Sequence, residues 1–142
     1  MPAICDALGV TFEYPDNWTV EAPEPDDEGV QVAVSGPETA FWHLSRHDAG
    51  ADFESLFDEA LAALRADYHE IEATSVAEVI EGRRIEGFDV NFYCLDLTVT
   101  TWLRGIPTDA GSFLLLCQAE DRDLERVGPV FQAMLASLLR RI

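Results

Sequence analysis

Lysine is absent from this 142-residue chain, and nine arginines are the whole basic complement against 27 aspartates and glutamates, a net charge of −18. Nucleic-acid binding draws its strength from clustered Lys and Arg that displace counterions, and the only basic clusters are the pairs Arg83-Arg84 and Arg140-Arg141. Nucleic acid is therefore not an expected partner, and an anionic membrane surface is disfavoured for the same reason. Such a charge favours solubility, or a basic protein partner steered in electrostatically.

Other absences narrow the field further. Three cysteines, Cys5, Cys94 and Cys117, are too few and too scattered for a disulfide framework, and their odd number fits a reducing compartment. No apolar run reaches the length of a membrane span, and the opening MPAICDALGV has no basic segment followed by an apolar one, as a signal peptide would. The expected location is cytoplasmic. No GxxxxGK[ST], GxGxxG or GxSxG occurs, so no cofactor is expected.

What remains is enough for a core. Hydrophobic residues make up 48% of the chain and aromatics 10%, which suits one folded domain spanning 1–142 without repeats or linkers. In GVTFEYPDNW, Val10, Phe12 and Tyr14 alternate as on a half-buried strand, Pro15 stops the ladder, and Asp16-Asn17 suit a turn that reverses the chain into Trp18 and Val20. A second hairpin is read in VQVAVSG, GPET and AFWHLSRH. Asp52 is placed to cap a helix whose apolar face carries Phe53, Leu56, Phe57, Ala60, Leu61, Leu64 and Tyr68.

Strand texture returns from Glu70 to Glu120, punctuated by Gly82, Gly87 and IPTDAGS. Apolar residues sit on even positions through Phe88, Val90, Phe92 and Cys94, then on odd ones at Leu95, Leu97 and Val99. One inserted residue swaps the faces of a strand, so a bulge or tight turn is expected near Cys94. Helical spacing resumes with Val127, Val130, Phe131, Met134, Leu135, Leu138 and Ile142, and Pro129 places the regular start near Gly128, or else a kinked turn there. The expected class is α+β: an antiparallel sheet of about six strands flanked by two main helices, one on each face, as an α/β/α sandwich.

The residues YPDNW, FESLFDEALAALRADY, EGRR leading into FDVNFYCLDLTV, SFLLLCQAED and VFQAMLASLL resemble the PsbP/Mog1-like superfamily. In particular, the chain is similar to its small bacterial domains of unknown function, a group that also includes lipoproteins and type VI secretion adaptor chaperones. The resemblance spans nearly the whole chain, through soft motifs. It implies an antiparallel sheet flanked by helices and a role in binding other proteins. The superfamily has no shared catalytic motif, so no site residue is carried over, and the lack of a lipobox or leader departs from its exported members.

Two constellations invite chemistry. His43 and His47 form HxxxH beside Asp48, a weak metal signature that leaves only His69, distant carboxylates and the cysteines as further ligands. The acidic loop EPDDE could offer oxygens to Ca²⁺ but lacks the ligand spacing and turn glycine of an EF-hand loop. Cys94 and Cys117 lie in apolar FYCL and LLCQ, settings that make a thiol inert. The reading favoured by the sequence is a non-catalytic protein-binding, adaptor or chaperone-like domain. The alternative is a small-ligand or metal-binding protein, or an enzyme, using His43, His47 and a nearby pocket. Homo-oligomers remain open, and sedimentation would reveal them.

Overall fold

The computed structural model describes residues 2–22 and 30–142; the EPDDE loop read above lies outside them. In chain order the elements are β1 (Pro2–Ala7), β2 (Val10–Pro15), β3 (Thr19–Glu21), β4 (Gln31–Ser35), β5 (Phe41–His47), α1 (Phe53–Asp67), β6 (Glu72–Ile80), β7 (Arg83–Cys94), β8 (Leu97–Thr108), β9 (Gly111–Glu120) and α2 (Asp121–Arg140). Seven strands form one antiparallel sheet in the order β3-β4-β5-β9-β8-β7-β6, and β1 with β2 makes a separate two-stranded ribbon. The class is α+β as expected. The sheet read as about six strands has seven among the described residues, and the two-stranded ribbon stands beside it.

Two of the differences have local causes. The turn after Tyr14 does not fold a hairpin: Trp18 N–H donates to the Pro15 carbonyl at 3.0 Å, and the chain then leaves the ribbon and enters the large sheet, where Val20 pairs with Val34. The true partner of β2 is β1, whose PAICDA carries too weak an alternation to announce a strand. Gly87, read as punctuation, lies inside β7. A Cβ there would stand 1.8 Å from the Leu103 carbonyl oxygen of β8, so only glycine permits this close crossing.

The phase flip near Cys94 is a tight turn: Cys94 pairs with Leu97, and Leu95 takes φ 58° between them. The segment from Ile85 to Trp102 is thus two strands, and Phe88, Val90 and Phe92 keep a single face. Successive residues of a strand point to opposite sides, and both sides of this sheet are covered. On one, Phe57, Leu61 and Leu64 of α1 pack with Val90, Phe92, Val99 and Leu103, and Tyr68 stacks on Phe92 at 4.2 Å. Asp52 caps α1 as read, accepting from the Glu54 N–H at 3.1 Å and the Ser55 hydroxyl at 3.0 Å.

On the other side, Val127, Phe131, Met134 and Leu138 of α2 join Phe12 of the ribbon over Val34, Trp42, Leu44, Ile106 and Leu115. Here α2 corrects the reading of Pro129. The helix begins at Asp121 and carries the proline inside it. The ring deprives only the Glu125 carbonyl of its helical donor, and Glu125 lies on the exposed face.

Asp123, buried in the first turn of α2, ties that helix to the loop before β5. Its carboxylate accepts from the Thr39 hydroxyl at 2.8 Å, and Thr39 in turn accepts from the Glu120 N–H at 3.0 Å. The Thr39 hydrogen bond is the main reason its carboxyl is held below the usual range, and Arg126 and Arg122 help against the opposing effect of burial. A carboxyl with a lowered folded pKa contributes stability above its unfolded value, and that contribution is lost as pH falls through the folded value. Asp123→Asn is therefore expected to be less stable than wild type at neutral pH, with the gap closing below about pH 4. Urea melts of the two proteins from pH 7 to pH 2.5 check this; a gap that stays constant with pH contradicts it.

Candidate functional site

The YPDNW corner forms one wall of a chiefly apolar groove, and α2 forms the other. The cavity measures about 570 Å³ and is lined by Tyr14, Pro15 and Asn17 on one side and by Pro129, Val130 and Met134 on the other. Pro2 closes its end, Ala133 lies exposed on its rim, and Glu13 and Asp16 bring the nearest carboxylates. A cavity of this volume is in the range that takes a small molecule or a few side chains of a polypeptide.

The groove is held open by bonds across it and beneath it. The Glu13 N–H donates to the Ser137 hydroxyl at 2.8 Å, and that hydroxyl donates to the Met134 carbonyl at 2.7 Å. Arg141 pairs with the Glu13 carboxylate at 3.2 Å. Beneath the corner, Trp18 meets the edge of Phe131 at 6.0 Å, and Phe131 meets Trp102 at 5.9 Å on its other side. The corner thus has both characters: Trp18 is core, as expected, whereas Tyr14, Pro15 and Asn17 face the groove.

The lining is chiefly apolar, with carboxylates at its edge. Among the described residues lining the groove there is no His, Cys, Ser or Thr, and Glu13 is engaged by Arg141. What the groove offers is proline rings, a tyrosine face, aliphatic side chains and a methionine, with acid at its edge.

His43 and His47 do not come together. Both lie on β5, and four residues of strand separate them by about 13 Å. A shared face is therefore not a shared site. Each ring has its own partner: His43 Nε2 lies 3.0 Å from the Gln31 side-chain oxygen and stacks on Phe41, while His47 Nε2 lies 3.0 Å from the Ser45 hydroxyl. Burial holds the His43 imidazole below its ordinary pKa. Among the described residues, no three His, Cys, Asp or Glu side chains gather as a metal site would require. Cys117 is buried, which pushes its thiol far above the ordinary value, and burial raises Cys5 in the same direction.

Sequence reasoning missed the α2 wall. Met134 read as core and is core, with the groove against it, whereas half-buried Val130 read as core alone and Pro129 read as a helix start or a kinked turn. The signal available was a proline inside an amphipathic helix, which marks a face that is not packed like the rest. A second apolar feature sits elsewhere, at the β7–β8 turn, where Tyr93 and Leu95 are 64% and 92% exposed. No helix of the described residues is long and apolar enough to cross a membrane.

No family model matches the chain, and no curated protein matches it. Solved structures do. Cyanobacterial PsbP (CyanoP) from Synechocystis sp. PCC 6803 aligns over 96% of this chain and 90% of its own, with a TM-score of 0.69 and 12% identity. A protein of unknown function from Pseudomonas aeruginosa aligns over 99% of this chain and 98% of its own, with a TM-score of 0.55 and 14% identity. Identities this low transfer no residue and no activity, so the likeness is one of fold. In fold, the chain is similar to small PsbP-like domains.

Proposed function

We propose that this chain is a non-catalytic, cytoplasmic protein-binding domain, acting as an adaptor or chaperone-like module, and that the groove between the YPDNW corner and α2 is where the partner polypeptide docks. The observation that supports this reading is the groove itself: a chiefly apolar, braced cavity with its carboxylates, Glu13 and Asp16, at the edge. Prolines and a tyrosine give rigid contact surface that loses little entropy on binding, and Met134 adapts to irregular side chains. The net charge of −18 favours a basic partner, with apolar side chains entering the groove and arginines or lysines meeting the surrounding carboxylates.

The test is affinity capture from native lysate at low and high salt, using wild type and Ala133→Arg. Ala133 is exposed on the rim, so the arginine blocks the groove and repels a basic partner without disturbing the helix. Wild type is expected to recover a stoichiometric basic polypeptide, more at low salt, and the variant to lose at least about tenfold of it, the size of a hot-spot contact. Equal recovery by both proteins, or no stoichiometric partner at either salt, sinks the proposal.

A further inference from the structure

At the opposite end of the ribbon from the groove, a second cavity of about 500 Å³ opens beside the β1–β2 turn and the ends of β8 and α2, and Arg46, Arg83 and Arg141 all line it. Three of the nine arginines of a strongly acidic chain thus reach one cleft. Their pairing sets two of them apart. Among the described residues, Arg84, Arg104, Arg122, Arg126, Arg140 and Arg141 each have a carboxylate within 4.0 Å, whereas Arg46, Arg65 and Arg83 have none. Two of these three unpaired guanidiniums line the cleft, and Arg65 stands apart on α1. With three carboxylates in the chain for every arginine, a surface arginine left without one marks a place where the acidic surface is locally interrupted.

The fold holds Arg46 in position. Its Nη1 donates to the Leu8 carbonyl at 3.2 Å, and its side chain crosses glycines on both sides. A Cβ at Gly111 would come within 3.2 Å of the Arg46 Cγ, and one at Gly9, in the left-handed turn at φ +78°, would lie 3.7 Å from Nη1. Arg83 opens β7 at the same end of the sheet, where β8 and β9 close their own turn. The remaining walls include Val10, Pro107, Ala110, Phe113 and Ile142, so apolar walls lie beneath a basic rim, with Asp109 as the one acidic side chain. Asp109 pairs with none of the arginines, and Glu13 is taken up by Arg141.

We propose that this cleft binds a small organic anion, with a carboxylate or phosphate head held by Arg46 and Arg83 and an apolar body against Val10, Pro107 and Phe113. A guanidinium presents paired N–H donors that match either oxyanion, and its charge persists at any physiological pH. This ligand site is independent of the docking groove, which lies at the other end of the ribbon.

The test is a titration of the isotope-labelled full chain by NMR with hexanoate, hexyl phosphate, hexanol and inorganic phosphate. Hexanoate or hexyl phosphate is expected to shift the amides of Gly9, Thr108, Ala110 and Gly111. Hexanol and inorganic phosphate, each lacking half of the recognised chemistry, should bind at least about tenfold more weakly. Whichever of the two amphiphilic anions binds tighter identifies the head group. Arg83→Gln, at a half-exposed side chain with no partner to lose, should keep the wild-type melting temperature and weaken the tighter anion about tenfold. Arg46→Gln with Arg83→Gln should abolish saturable binding. Hexanol binding as tightly as the anions, shifts confined to the groove at Tyr14 and Val130, or an Arg83→Gln protein with unchanged affinity would each overturn the site.

Discussion

Replacing Phe131 with alanine is expected to cost about 3–5 kcal/mol of folding stability, the range for removing a fully buried phenylalanine ring. Its side chain is 1% exposed and stands between the rings of Trp18 and Trp102, both met edge to face at interplanar angles of 82° and 77°. Deletion leaves a cavity that neither indole can fill, because Trp18 is fixed by the turn behind Pro15 and Trp102 by its place in β8. For a chain of this length the loss corresponds to a fall in melting temperature of roughly 10–15 °C. Thermal unfolding followed by tryptophan fluorescence measures it. Phe131→Leu, which keeps most of the volume, should lose less than half as much. A Phe131→Ala protein within about 1 kcal/mol of wild type would mean that the corner is not seated on α2 as described.

The second large effect belongs to Arg104. This guanidinium is buried on the α2 side of the sheet and is fully engaged: Nη2 lies 2.8 Å from the Asp89 carboxylate and 3.1 Å from that of Glu78, Nη1 donates to the Phe88 and Leu103 carbonyls, and the Trp102 ring lies 5.8 Å away. Gln132 of α2 reaches the same Glu78, so the cluster joins the helix to the edge of the sheet. Removing one partner of a buried pair costs about 3–5 kcal/mol because the other charges are left behind. Glu78 and Asp89 are themselves 26% and 37% exposed and recover some hydration, which sets the expectation for Arg104→Ala near the lower end of that range. Arg84→Ala supplies the contrast. Its pair with Glu86 is 70% and 64% exposed, and the change should stay within about 0.5 kcal/mol. Urea denaturation of both variants decides it, and similar losses at the two sites would contradict the assignment of Arg104 as a buried structural pin.

Local signals carried much of this structure. Asp52 announces α1 through a side chain that needs no distant partner, the even-numbered run from Phe88 to Cys94 fixes the face of β7, and the flip to odd positions locates the turn at Leu95. Trp18 behind a proline turn reads correctly as core. Most of the misreadings are of distance. The pairing of β1 with β2 puts weakly patterned residues into a ribbon that only α2 makes worthwhile, and α2 lies more than a hundred residues away; Glu13 and Arg141, its last clamp, are 128 positions apart. Asp16-Asn17 make a turn as read, but which strand accepts the chain afterwards depends on β4, which begins at Gln31. HxxxH failed for a geometric reason: a helix would have stacked His43 over His47, and a strand holds them apart. The two arginine pairs were visible as clusters, yet nothing local places Arg83 and Arg141 beside Arg46, because that juxtaposition arises from strand ends meeting the end of α2.

The groove between the corner and α2 is the centre of the account, and site-specific photocrosslinking in living cells tests it most directly. A benzophenone amino acid is placed at Ala133, on the groove rim, and separately at Val79, which is 73% exposed on the edge strand β6. One discrete polypeptide adduct is expected from position 133, reduced when Val130→Asp is added to put charge into the groove wall, and no such adduct from position 79. The same adduct from both positions, or one from 133 that Val130→Asp leaves unchanged, would contradict it.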